Sequence, residues 1–316
     1  MKRIINIVLA ILLVCMCPQG VWAQFDVHFT HYDALQGYYN PSVAGESGRT
    51  NLMASYSMQM AGYTNAPVTM LVMADLAMPS RAEKHHALGV GMLSDQIGLY
   101  NNQRLYGSYA YRKQLRNGAT MSMGVSGGVL EQKFDGGKLK LEESNDPAFP
   151  SSTSDGNALD VTAGFSYLTP RYYLRLAGMH LTMPTIELGE QYELKIDPCI
   201  IFNAGGNIKL KNPLLSVQPS VQLISDLQNW RADIGARAFY TYDGKRWYAG
   251  LTYSPLTSVA VLLGGEINGV SFGYAYELFT SGVGVLYGSH DLFVGYVTDV
   301  DLFKKSKNKH KSIRVL

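Results

Sequence analysis

Apolar and polar residues alternate along most of this chain, and residues 119–133 show the pattern most clearly. One set of alternate positions carries apolar side chains, while the positions between them carry small or polar ones. The apolar set is Met121, Met123, Val125 and Val129, and the small set is Thr120, Ser122, Gly124, Ser126 and Gly128. A period of two predicts a β-strand with one apolar face.

The same alternation recurs in fourteen segments. Most of them have about 9–11 residues, the length that a tilted strand needs to cross a bilayer. A membrane barrel turns the apolar face of each strand to lipid and the other face to its lumen. We therefore predict an all-β fold, a transmembrane antiparallel β-barrel of the outer membrane with about 14 strands. The predicted strands are residues 51–60, 68–76, 86–94, 102–113, 119–133, 158–168, 172–182, 200–210, 214–224, 229–241, 246–254, 258–267, 270–279 and 291–297.

The links between these segments differ in length on the two sides of the predicted barrel. Five links on one side are short, among them Asp243-Gly244 and Asn268-Gly269, which are strong hairpin signals. The long links, residues 134–157, 183–199 and 280–290, all fall on the other side. Outer-membrane barrels show this asymmetry, with short turns in the periplasm. The alternative is an exported soluble β-sandwich or propeller, whose strands also alternate.

The composition supports a barrel and argues against nucleic acid as a partner. Only 16% of the residues are charged, whereas Gly (32) and Tyr (21) are abundant. Glycine eases strand curvature, and tyrosine is enriched at bilayer interfaces. Without Lys2 and Arg3, the chain has 25 basic and 25 acidic residues and is neutral, which is not the charge of a nucleic-acid-binding protein.

Residues 1–23 are predicted to be a secretory signal peptide. Lys2 and Arg3 precede an apolar core, and Val21-Trp22-Ala23 provides a cleavage site before Gln24. Cleavage would leave Cys199 as the only cysteine, so we expect no internal disulfide. No later apolar run is long enough for a spanning helix, so strands must do any spanning.

Residues 24–50 have no sustained period and are predicted to be a pre-barrel segment, either periplasmic or lumenal. Pro41 has a fixed φ, Asn40 can bond nearby backbone, and Gly45 can adopt conformations closed to other residues. Our first interpretation is a rigid bend that leads into the barrel. The second is a hatch inside the barrel, suggested by aromatic side chains that need burial: Phe25, Phe29, Tyr32, Tyr38 and Tyr39.

Two stretches resemble the PorP/SprF family of outer-membrane proteins of the type IX secretion system. At the amino end, Gln24-Phe25-Asp26, Phe29 and Tyr39-Asn40-Pro41-Ser42-Val43-Ala44-Gly45 are similar to its opening, with Ser42 in place of the usual Ala. At the carboxyl end, Gly288-Ser289-His290-Asp291-Leu292-Phe293-Val294-Gly295-Tyr296 is similar to its closing strand, with Asp291 where Glu is usual. The likeness covers essentially the whole mature chain.

The resemblance implies a role in secretion, and sometimes in gliding. It implies a scaffold or adaptor for export of cargo with carboxy-terminal sorting domains. The implied partners are periplasmic and outer-membrane secretion components, including peptidoglycan-associated lipoproteins, together with the secreted cargo and outer-membrane lipid. The alternative that we keep is a transport channel for small or hydrophobic solutes.

No grouping of residues predicts catalysis, a cofactor or a metal. His28 and His31, with Asp26 and Asp33, fit a structural role better than a metal site. Ser289, His290 and Asp291 cannot form a triad by themselves, because neighbours on a strand point to opposite faces. An outer-membrane enzyme is thus a remote third hypothesis. Charged residues of lumen parity either pair and plug the lumen or line a channel: Arg104, Arg112, Asp160, Arg175, Arg231, Asp233 and Arg237.

The chain ends in a basic tail, residues 304–316, which follows the predicted barrel of residues 51–303. It has six positive charges and no acidic residue: Lys304, Lys305, Lys307, Lys309, Lys311 and Arg314. A solvated, disordered tail is the first interpretation. The second is a periplasmic arm that docks on an acidic protein partner.

Overall fold

The fold is seen in a computed structural model that describes residues 26–78, 85–136, 153–188, 192–281 and 288–299. The predicted signal peptide and the predicted basic tail lie outside the described residues. Before the first strand, the described part contains a one-turn α-helix at Gln36–Tyr39 and a 3-10 turn at Pro41–Val43. No helix in the described ranges combines the length and the apolar character needed to cross a membrane.

Nearly all regular structure is β, in strands that we number in chain order. Their bounds are β1 Thr50–Met58, β2 Val68–Ala77, β3 His86–Ile97, β4 Tyr100–Gln114, β5 Thr120–Asp135, β6 Thr153–Leu168, β7 Tyr172–Met179, β8 Thr185–Leu188, β9 Tyr192–Lys195, β10 Cys199–Gly206, β11 Ile208–Lys209, β12 Leu215–Ser225, β13 Trp230–Tyr242, β14 Lys245–Ser254, β15 Ser258–Ile267, β16 Val270–Phe279 and β17 Ser289–Thr298.

The strands form a closed barrel of fourteen strands across the described residues. Each barrel strand pairs antiparallel with its neighbour in the chain, with β11 prolonging β10 along β12. The barrel closes where β1 pairs with β17, from Thr50↔Thr298 to Met58↔His290. This confirms the predicted fold and excludes the sandwich and the propeller, because one sheet closed on itself leaves no second sheet and no blades.

The two faces of each strand differ as the alternation predicts. Leu105 is 58% exposed and Val125 is 48% exposed, whereas their neighbours Arg104 and Ser126 are buried. The outward side chains form an apolar band around the barrel, and the inward ones meet the material that fills it. Because pleated strands turn successive residues to opposite faces, the lipid-facing assignments could be read from parity alone.

The two ends of the barrel also differ as predicted. At the short-turn end, Asp243-Gly244 and Asn268-Gly269 have positive φ angles of 50°, 70°, 51° and 82°. Two successive residues with positive φ make the hairpin turn that matches strand twist. The longer links lie at the other end, which we call the long-loop end. By the rule for outer-membrane barrels, the short-turn end faces the periplasm.

Two predictions about the elements were wrong. Residues 183–199 were expected to be a loop, yet they contain the hairpin β8–β9. Its Ile186 and Leu188 are buried against Leu130 of the barrel wall, and this packing stabilises strands of only four residues. The predicted strand 200–210 is broken between Gly206 and Ile208 into β10 and β11.

Candidate functional site

The segment before the first strand lies inside the barrel. We call residues 26–49 the plug. Its side chains Phe29, Leu35 and Tyr39 are fully buried, and Tyr32 and Tyr38 are nearly so. The plug runs from the long-loop half, where Asp26 meets His180, to the short-turn end, where Arg49 pairs with Asp299. Four of the five aromatic residues that needed burial are thus buried in the lumen, and the fifth, Phe25, lies outside the described residues.

Residues 26–39, the amino half of the plug, pack on apolar side chains of the wall. Phe29 meets Tyr38 edge to face, with ring centroids 5.6 Å apart, and Tyr38 meets Tyr39 at 5.0 Å. The surrounding wall residues share one buried cluster with them: Met53, Leu71, Met73, Leu93, Tyr106, Met179, Cys199, Ile201, Ile224 and Phe293. Each is an inward-facing residue on a strand or next to one, so this cluster is the core of the protein.

Asn40 starts the carboxyl half of the plug, residues 40–49. Its side chain hydrogen-bonds the backbone of the wall and the backbone of the plug. Its amide Nδ2 donates to the carbonyl oxygens of Phe165 and Leu176 on neighbouring strands, at 3.2 Å each. Its Oδ1 accepts from the amide and the hydroxyl of Ser42, at 3.0 and 2.6 Å. The Ser42 hydroxyl lies 2.5 Å from that of Ser166. Pro41 occupies the first position of the 3-10 turn that Asn40 caps.

Two wall glycines make room for this turn. Gly124 and Gly164 are paired across β5 and β6. A Cβ atom at Gly124 would overlap the backbone of Pro41 and Ser42, and one at Gly164 would overlap the Asn40 side chain. The small inward parity of β5, from which the fold was predicted, is therefore the surface that receives the plug.

Gly45 ends the motif in a conformation that suits glycine, with φ +67°. Its amide donates to Asp75 Oδ1 at 2.7 Å, and its carbonyl accepts a short hydrogen bond from Arg112. A Cβ atom here would also overlap Ala87. The plug backbone therefore lies in contact with the wall at this point.

The carboxyl-terminal motif contacts the same plug from the last strand. Asp291 Oδ2 accepts from the amides of Thr30 and His31, at 2.7 and 3.4 Å. His290 points to the outer face instead, where its Nδ1 lies 2.8 Å from the Tyr274 hydroxyl. The structure therefore brings Asp291 together with the plug and leaves His290 in the aromatic rim of the barrel.

The charged residues of lumen parity pair with one another and with the plug. Asp33 of the plug lies 3.2 Å from Arg237, and Glu46 lies 2.7 Å from Arg175. The remaining contacts are His28–Asp233 at 3.2 Å, Arg231–Asp233 at 3.1 Å, Arg231–Glu277 at 3.2 Å, Arg104–Asp160 at 3.1 Å and Arg104 over the Tyr38 ring at 5.7 Å. Of the two alternatives, the first describes these residues: they pair and hold a plug.

Three histidines of the interior differ in their partners. His28 pairs with Asp233, and no described cluster of His, Cys, Asp and Glu side chains could hold a metal ion. Burial lowers the pKa of His180, but the carboxylates of Asp26 and Asp160 outweigh it and raise that pKa to about 9. His31 has neither ring nitrogen hydrogen-bonded to a described group, and burial lowers its pKa to about 4.

The hairpin β8–β9 covers the plug at the long-loop end. Between them lies a cavity of about 30 Å³, lined by Asp26, Arg104, Gln132, His180 and Ile186 among others. This volume suits one or two water molecules. The plug and the hairpin therefore fill most of the lumen around this cavity.

Sequence reasoning missed several residues of this site, namely Thr30, Asp75, His180 and Glu277. Each touches the plug or its partners only through contacts between residues that are distant in the chain, such as Thr30–Glu277 at 3.1 Å. A polar residue of lumen parity at Glu277 was a usable signal, since burying an unpaired carboxylate would be costly. His180 lies just past the end of β7 and carries no such signal.

Comparisons with known proteins agree with this architecture. A family model described as "Type IX secretion system membrane protein PorP/SprF" matches residues 21–296. A solved structure described as "CymD monoaromatic hydrocarbon channel" is similar with a TM-score of 0.50 at 13% identity, over 89% of this chain and 95% of that one. A Pseudomonas aeruginosa FadL homologue gives 0.47 at 12% identity, over 82% and 92%. Such identities show the fold alone, and no protein with a curated description matches.

Proposed function

This chain belongs to the PorP/SprF family of type IX secretion system membrane proteins, and from that premise we propose that it serves secretion as a plugged scaffold. It lies in the outer membrane of a Gram-negative bacterium. Its family and fold are those of a structural or transport membrane protein. In the proposed role, the barrel anchors other secretion components and aids export of cargo with carboxy-terminal sorting domains, while its own lumen stays closed.

The plug is the observation that carries this proposal. Its acidic residues Asp33 and Glu46 pair with wall arginines, and wall carboxylates such as Asp291 accept from its backbone amides. Removing one partner from the Asp33–Arg237 pair leaves the other charge buried without compensation, which is costly, whereas the Glu46 side chain is 30% exposed. A barrel that passed solutes would have to break these contacts in every opening, whereas a scaffold never does.

A locked plug tests the closed-lumen role. The Ser42 and Ser166 hydroxyls are 2.5 Å apart, so the pair Ser42→Cys/Ser166→Cys can form a disulfide between plug and wall. We expect the oxidised variant to restore cargo export in a deletion strain as well as wild type does. The two single variants and the reduced double variant are the controls.

Two results would contradict the proposal. One is export that the locked plug abolishes and reduction restores, because cargo or solute would then pass through the lumen. The other is normal export in the deletion strain together with conductance of the purified protein in planar bilayers. The second result would favour a solute channel, which so far has only the shared barrel fold in its support.

Partners and the basic tail belong to the same proposal. Family membership implies contact with other components of the secretion machinery. We propose that these include periplasmic peptidoglycan-associated lipoproteins and that residues 304–316 form an arm that binds an acidic partner. Deletion of residues 304–316 with normal assembly and export would remove the arm from the proposal.

A further inference from the structure

The two ends of the barrel carry opposite charge. At the long-loop end, the described residues include seven acidic side chains and two lysines: Glu131, Asp135, Asp155, Glu187, Glu193, Asp197 and Asp226 against Lys133 and Lys195. At the short-turn end, cations dominate a continuous run of turns. Although residues 24–316 together are neutral, the charges of the described residues are thus strongly separated along the barrel axis.

The cations lie in or beside four successive turns, which are β4–β5, β6–β7, β11–β12 and β13–β14. Arg116 is in the β4–β5 turn, Arg171 in the β6–β7 turn, and Lys211 in the β11–β12 turn. Three more flank these turns or begin β14: Lys113, Lys209 and Lys245. We call these six residues the basic arc. All six are exposed, and none has an ion-pair partner among the described residues. In the same four turns, Asp243 is the one acidic residue within the described part.

The described residues on the other side of the short-turn end lack this character. The β15–β16 turn is Asn268-Gly269 with Glu266 beside it, and Arg49 is already paired with Asp299 at 2.7 Å. Successive turns of a meander are two strands apart, or about 10 Å, so four turns extend over about 30 Å. That width matches one side of a standard protein–protein interface, which buries about 800 Å² per partner.

The positions of these residues favour a protein, rather than lipid headgroups, as the partner of the basic arc. Lys113 and Lys245 share the outward parity of Tyr111 and Trp247, where side chains reach the headgroups of the surrounding bilayer. Arg116, Arg171 and Lys211 lie in the turns themselves, past the last residues of their strands. They face the periplasm. Exposed Leu210 and Leu214, beside Lys211, add apolar anchors of the kind found within protein interfaces.

We propose that the basic arc is the docking surface for an acidic face of a periplasmic protein. Unpaired cations in a row attract an acidic surface and fix its orientation, and the effect weakens with added salt. The acidic long-loop end repels the same partner. This inference rests on the proposed role in secretion, because that role supplies a periplasmic partner.

Site-specific photo-crosslinking in intact cells tests the proposal. The crosslinking amino acid is placed at position 116, 171 or 211, and at position 268 as the control on the other side of the rim. We expect one periplasmic protein to be captured from the three arc positions and not from 268. Capture of phospholipid alone, of nothing, or of the same protein from 268 would overturn the proposal.

A pair of charge-reversed variants provides a second test. With the crosslinker at position 211, Arg116→Glu/Arg171→Glu should lower the crosslinked yield about tenfold, because like charges then face each other. Lys133→Glu/Lys195→Glu makes the same change in net charge at the opposite end and should leave the yield unchanged. The folded state of each variant is checked by its heat-dependent mobility on gels. An equal loss in both variants, or in neither, would contradict the proposal.

Cargo export separates the two proposals. If export requires the protein but the arc captures no partner, the docking surface is wrong and the scaffold role stands. If the arc captures an acidic periplasmic protein while the deletion strain exports normally, the docking surface stands and the role in secretion is wrong.

Discussion

The two halves of the plug are held in the barrel by different contacts. The amino half, residues 26–39, buries aromatic side chains against methionine, leucine and phenylalanine of the wall. The carboxyl half, residues 40–49, brings its backbone against strand glycines and bonds strand carbonyls through Asn40. Side chains in an apolar core can repack around a change, whereas two backbones in contact cannot move apart without losing their hydrogen bonds. The carboxyl half should therefore tolerate substitution less.

The largest expected effect comes from adding a side chain where the backbone of the plug meets the backbone of the wall. Gly124→Val should destabilise the barrel by about 3 kcal/mol, because its side chain overlaps Pro41 and Ser42 and forces the turn off the wall. Urea titration in lipid vesicles, read by gel mobility, measures the change, and limited proteolysis reports release of the plug. Gly127→Val is the matched control. Gly127 lies on the same strand with open space around it and should change stability little. Equal effects at the two positions would refute the comparison.

The next effect concerns the amino half. Asp291→Asn should cost about 2 to 3 kcal/mol, because hydrogen bonds from the Thr30 and His31 amides to a charged acceptor become bonds to a neutral one. The exposed carboxylate of Asp299, paired with Arg49, is the control, and Asp299→Asn should cost less than about 1 kcal/mol. The same unfolding titration measures both. A loss at Asp291 no larger than that at Asp299 would mean that the plug does not depend on this contact.

A pH titration should distinguish two histidines. The pKa of His31 falls from 6.5 to about 4 on folding, so the folded state binds fewer protons than the unfolded state. The stability that the neutral His31 contributes is complete above pH 6.5 and is lost as the pH falls toward 4. By about pH 5, about 2 kcal/mol of it is lost. His31→Phe should remove this part of the acid sensitivity. An unchanged stability profile in that variant would show that His31 is not buried in its neutral form.

His180 should behave in the opposite sense. Its pKa rises to about 9 on folding, so its contribution is complete below pH 6.5 and is lost as the pH rises through about 9. His180→Gln should therefore remove the decline in stability at alkaline pH. The loss of stability at acid pH, which comes from His31, should remain. The measurement is the same unfolding titration, made at mildly alkaline pH.

The smallest effect concerns an ion pair near the short-turn end. Glu46 and Arg175 lie 2.7 Å apart, with the Glu46 side chain 30% exposed. A double-mutant cycle with Glu46→Gln and Arg175→Gln should give a coupling of about 1 kcal/mol, because partial exposure screens the pair. The cycle for Arg49→Gln and Asp299→Asn should give a coupling near zero. A coupling above about 3 kcal/mol would place this pair among the main anchors of the plug.

Much of the barrel could be predicted from the sequence, but the plug contacts could not. The two turns with positive φ at Asp243-Gly244 and Asn268-Gly269 carry local signals in their residue types. Asn40 and Gly45 were predicted to shape a rigid bend, and Asp291 was named only because it matches a motif of a family. Their roles depend on partners such as Phe165, Asp75 and Thr30, and nothing near them in the chain points to those partners. The hairpin β8–β9 was missed for the same reason.

The sequence by itself determined the strand pattern, the outward faces and the closed sheet, since lipid on one side of every strand imposes a period of two. Tertiary structure alone decided that a plug lies in the lumen, which charges pair, and that Gly124 and Gly164 receive the Asn40 turn. The physical reason is how far apart in the chain the interacting residues lie. Contact with the bilayer is made by each residue separately and leaves a local pattern. The plug is held by pairs such as Asp33–Arg237, which are far apart in the chain and meet only when the barrel closes.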